Sequence, residues 1–83
     1  MSDNATAANR VQAALDFAEA ADAWMEQRVV CARANERADA DPEHVPSQRE
    51  AFVQGETLRI LRHRLNITRS VYLMSKTQPD GAR

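Results

Sequence analysis

Residues with chemical potential are few in this chain, and their spacing brings none of them into a catalytic set. His44 stands beside Asp41 and Glu43, a group without the spacing of a known metal-ligand set, and it reads as a surface histidine. His63 lies between Arg62 and Arg64, surroundings that suit facing an anion better than holding a metal. No Ser, Thr or Cys has a base and an orienting group at a spacing that would activate it, and there is no glycine-rich phosphate loop. Cys31 is the single cysteine, which excludes an intramolecular disulfide, fits a reducing compartment and reads as a small buried hydrophobe. What remains is a row of Arg59, Arg62, Asn66 and Arg69 with His63 beside it. Guanidinium groups pair bidentately with carboxylates and phosphates, so this row is the predicted partner-binding face. The sequence predicts no catalytic residue, no cofactor and no metal.

The row needs a helix to align it, and the stretch from Ser47 to Ser75 reads as one. Pro46 precedes Ser47, and Glu50 follows three residues later, the pattern of a capping box that starts a helix. Ala51, Gln54, Leu58, Leu61, Leu65, Thr68, Tyr72 and Ser75 recur at alternating intervals of three and four, which predicts a seam against a partner helix. Val53, Ile60, Ile67 and Met74 recur every seven residues and are joined by Val71. They lie about 120° round the helix from the seam, too far for one partner to cover both. Gly55, in the interior, costs roughly 1 kcal/mol against alanine and marks either a close approach or a tolerated blemish.

A partner helix is legible upstream. From about Thr6 to about Ala38 no proline or glycine interrupts the chain, with Asp3, Asn4 or Thr6 available as N-cap. Val11, Leu15, Ala18, Asp22, Met25, Val29 and Ala32 carry the four-three spacing expected of its seam. Phe17, Trp24 and Cys31 form a second row, filled in by Ala14 and Ala21. The segment 39–46 (DADPEHVP) holds two prolines that disfavour helix in the residues before them, and it predicts a short connection between antiparallel helices. The residues from 77 to 83 read as a disordered tail. The predicted architecture is a single all-α domain over 1–83: a helix over about 6–38, a loop over 39–46, a helix over about 47–76 and the tail.

Eighty-three residues make one domain, and a single seam between alanine-rich helices returns less than the ordering of two long helices costs. The second rows therefore predict a homodimer in which two hairpins form a four-helix bundle of coiled-coil type, with Phe17, Trp24, Val53, Ile60, Ile67 and Met74 at the dimer interface. The net charge of −1 conceals an asymmetry: residues 1–56 hold 11 acids and 5 bases, a net of −6, and residues 57–83 hold 6 bases and 1 acid, a net of +5. Such halves steer head-to-tail or antiparallel association or neutralise each other within one hairpin. No run of about 20 apolar residues and no basic leader with an apolar core are present, so the chain is expected to be cytoplasmic, with no membrane partner.

Together these features predict a small non-enzymatic interaction protein of the kind common among bacterial and phage regulators, adaptors and inhibitors, one that binds an acidic surface of a target protein. The alternative is a nucleic-acid-binding helical dimer using Arg59, Arg62, Arg64 and Arg69, opposed by a pI near 6.1. More remotely, Arg10, Arg28, Arg49 and Glu50, with DPEHVPSQRE at 41–50, look similar to the all-helical chorismate mutases, whose sites combine arginines of a long first helix with an Arg-Glu pair opening the second. That resemblance implies a helical enzyme. The connection lacks a lysine, since the only one is Lys76, and no third helical pattern follows, so no catalytic residue is carried over.

Overall fold

The computed structural model describes the backbone of Ser2–Thr77 and the side chains of residues 7–76. Within those residues the chain is two helices, α1 (Ser2–Ala40) and α2 (Val45–Thr77), folded back on each other. α1 begins a turn ahead of the expected start, since nothing in its first residues breaks a helix. Of the predicted tail only Thr77, the last residue of α2, falls among the described residues.

Three contacts fix the antiparallel direction. Near the tip the Gln48 side-chain amide donates to the Ala38 carbonyl at 2.9 Å. Midway, Gln27 Nε2 donates to Gln54 Oε1 at 2.6 Å and to the Gln54 carbonyl at 3.1 Å. Toward the open end the rings of Phe17 and Tyr72 stack at 5.4 Å. The result is a thin rod measuring 62 × 15 × 12 Å.

The connection is shorter than the sequence implied, because α2 starts two residues before Ser47. Proline is tolerated in the first turn of a helix, where its missing N–H has no partner to lose, so Pro46 falls inside α2. His44 takes the capping place: its carbonyl accepts from the Ser47 and Gln48 amides, and its ring Nδ1 lies 2.6 Å from Ser47 Oγ. Ser47 therefore sits in the first turn and not at the cap, and Glu50 instead accepts a hydrogen bond from the Gln54 amide at 2.6 Å.

α2 meets α1 along the predicted seam: Ala51, Gln54, Leu58, Leu61, Leu65, Thr68, Tyr72 and Ser75 are all partly buried. α1 does not. Its covered row is Ala13, Phe17, Ala20, Trp24, Gln27, Cys31, Ala34 and Ala38, again at intervals of four and three, and Ala20 and Ala34 are fully buried. The expected seam residues Val11, Leu15, Met25 and Val29 are each more than half exposed. The reason is shape. Alanines on one helix leave room for the leucines of the other, whereas two rows of large side chains would hold the axes farther apart. Phe17 and Trp24, assigned from the sequence to a dimer contact, lie on this intramolecular seam and are partly buried there.

Candidate functional site: an arginine-lined groove beside Trp24

One flank of the seam is rich in basic residues. Gly55, Arg62, Arg69 and Lys76 follow one another at intervals of seven along α2, and Arg28 stands four residues after Trp24 on α1. Where the two helices run together, Trp24, Arg28, Gly55, Leu58, Arg59 and Arg62 line an open groove of about 550 Å³. Its lining sets the apolar side chains of Trp24 and Leu58 beside three arginines.

Each member has a local reason for its place. Trp24 belongs to the inner row of α1, but its side chain is too wide to be swallowed between the helices, so part of the ring faces the groove. The Arg28 guanidinium lies over that ring, 5.0 Å from its centre, a contact that holds the cation against the indole face. Gly55 has nothing within 4 Å of where a Cβ would stand, so its lack of a side chain opens the groove and relieves no clash. Arg59 donates to Glu56 Oε1 through Nη2 at 3.0 Å and Nε at 3.3 Å. Both partners are well exposed, and surface pairs of this kind contribute about 0–1 kcal/mol, so an incoming anion displaces Glu56 at little cost. Arg28 and Arg62 have no carboxylate partner among the described residues.

All five residues predicted to bind a partner, Arg59, Arg62, His63, Asn66 and Arg69, are exposed on α2. The groove brings Arg59 and Arg62 together; His63, Asn66 and Arg69 continue the same side of the helix without lining it. Sequence reasoning missed Arg28 and Trp24 as members, although the interval of four between them was a signal that they share a face. A Ser–His contact exists at the hairpin tip, between Ser47 and His44, and its work is to start α2. Among the described residues no group of three or more His, Cys, Asp or Glu is placed to hold a metal ion, and no helix is long and apolar enough to cross a membrane.

The arrangement is suited to recognition. Guanidinium forks fit carboxylates or phosphates, and the apolar lining accepts the aliphatic or aromatic part of the group that carries them. No protein-family model matches the chain, and no curated protein and no solved structure matches it.

Proposed function

We propose that this protein is a small, non-enzymatic interaction module: a helical hairpin that associates with further copies of itself and presents an arginine face to an acidic surface of a target protein. The observation that carries the reading is the groove itself, in which Arg28 and Arg62 stand uncompensated beside Trp24 and Leu58. A cytoplasmic regulator, adaptor or inhibitor in a bacterium or phage is the setting we favour. Self-association is supported by the exposed apolar rows on both helices, which exceed what a hairpin of this size needs to leave open.

The test is charge reversal on the arginine face. Arg59→Glu, Arg62→Glu and Arg69→Glu combined should leave the helical circular dichroism unchanged and abolish capture of the target that the unaltered protein recovers from lysate. Capture that survives the three changes moves the binding surface elsewhere. A salt-sensitive gel shift with duplex DNA, lost in the same variant, would replace the acidic protein with nucleic acid as the partner.

A further inference from the structure

Gly55 is the one glycine inside a helix among the described residues, and nothing in the fold asks for it. Glycine in a helix interior carries an entropic cost that alanine does not. Such a residue is usually explained by a neighbour too close for a Cβ, yet at position 55 a Cβ would meet no part of α1 within 4 Å. It also stands well inside α2 (Val45–Thr77), so no cap or turn requires it.

What the missing side chain does is open the groove, whose lining includes Gly55. Trp24 and Leu58 supply the apolar surface there. Arg28 follows Trp24 toward the hairpin tip, and Arg62 follows Leu58 toward the open end, so the apolar pair has a cation on each side along the rod. No carboxylate lines the hollow, since Glu56, which holds Arg59, is not among its lining residues.

The occupant's chemistry follows from this order of cation, apolar surface and cation. It carries an anion on each side of an apolar group, and a flat ring suits the middle. An aromatic ring stacks on an indole or on a guanidinium, and the Arg28 guanidinium already lies 5.0 Å from the Trp24 ring centre. A single-stranded nucleic acid also offers rings between charges, but it carries a charge at every nucleotide. Beyond the three arginines such a strand meets acids, because the adjoining hollow that shares Arg28 contains Glu36, and Glu56 stands beside Arg59. A pair of carboxylates flanking one ring needs no longer basic track.

We propose that Gly55 sets the specificity of the groove: by lacking a side chain it admits the aromatic side chain of an acidic peptide segment, whose carboxylates pair with Arg28 and Arg62. This rests on the acidic target proposed above and names the part of that target which the groove reads. Binding and stability then pull position 55 in opposite directions.

The probe is a blocked peptide with one phenylalanine flanked on each side by two glutamates. Trp24, the sole tryptophan of the chain, reports its arrival without a label, and calorimetry gives the affinities independently. The unaltered protein should bind the peptide saturably, with a change in Trp24 emission. Gly55→Leu should weaken binding by about tenfold or more, and Gly55→Ala severalfold. Gly55→Ala should nevertheless melt higher than the unaltered protein, and Gly55→Leu no lower. A peptide with alanine in place of the phenylalanine should bind weakly and be indifferent to Gly55→Leu. The role of Gly55 is overturned if Gly55→Leu binds the phenylalanine peptide within about twofold of the unaltered protein, if the alanine peptide binds as well, or if the unaltered protein leaves the peptide unbound. A Gly55→Ala protein that melts lower overturns it too, because the fold then needs the glycine. Tighter binding of a single-stranded oligonucleotide than of the peptide also overturns it and makes nucleic acid the occupant. The acidic-target reading fails separately, when the variant with Arg59→Glu, Arg62→Glu and Arg69→Glu still captures its target; loss of that capture beside an unaffected Gly55→Leu rejects the role of Gly55 alone.

Discussion

α1 and α2 build the two sides of one seam from opposite materials. α2 turns Leu58, Leu61 and Leu65 inward and leaves Val53, Ile60, Ile67 and Val71 outside, whereas α1 buries Ala13, Ala20, Ala34 and Ala38 and leaves Val11, Leu15, Met25 and Val29 in the open. The lesson is that inward placement follows fit and not hydropathy alone. A leucine ridge needs a shallow partner, and a row of alanines is shallower than a row of valines and leucines.

The sharpest way to break that comparison is to enlarge the alanine side. Ala20→Leu inserts three carbons into a fully buried place and should lower stability by about 1–3 kcal/mol, even though the new residue is more apolar than the old. For a domain of this size each kcal/mol lowers Tm by about 4–8 °C, measured at a concentration low enough to keep the chain monomeric. An unchanged Tm would mean that the helices do not approach closely there.

Next in size is the polar bridge across the seam. Gln27→Ala removes the donor that reaches Gln54 and should cost about 1 kcal/mol, read by chemical denaturation. Gly55→Ala works in the other direction and should raise stability by about 0.5–1 kcal/mol, since a methyl group there meets nothing within 4 Å. The smallest effect belongs to the outer row of α1. Val29→Ala should change monomer stability by less than about 0.5 kcal/mol, in contrast to Ala20→Leu on the inner row.

These expectations show where the sequence was legible. The seam of α2 could be read directly, because Leu58, Leu61, Leu65 and Tyr72 mark it as one row at the four-three interval. On α1 only Phe17 and Trp24 are both large and inward, and a search for aliphatic residues at helical spacing selects the outer face. The interval of four and three that runs through Ala13, Phe17, Ala20, Trp24, Gln27 and Cys31 was present, but alanine and glutamine carry little hydropathic signal. The connection was misjudged for a local reason: Pro46 is a helix breaker in the interior and a good residue in the first turn, and only the His44 cap decides between the two. The arginine row of α2 was visible from its spacing. Its meeting with Trp24 and Arg28 depends on the register between the helices, which one helix's pattern cannot supply.

The claim that the alanine row of α1 faces inward is tested most directly by thiol reactivity. Cys31 lies on that row and is buried, and Val29 lies on the opposite face. In the folded monomer, Cys31 should react with a disulfide reagent far more slowly than the thiol of a Val29→Cys, Cys31→Ser variant. A protected thiol at position 29 and a freely reactive Cys31 would contradict the account.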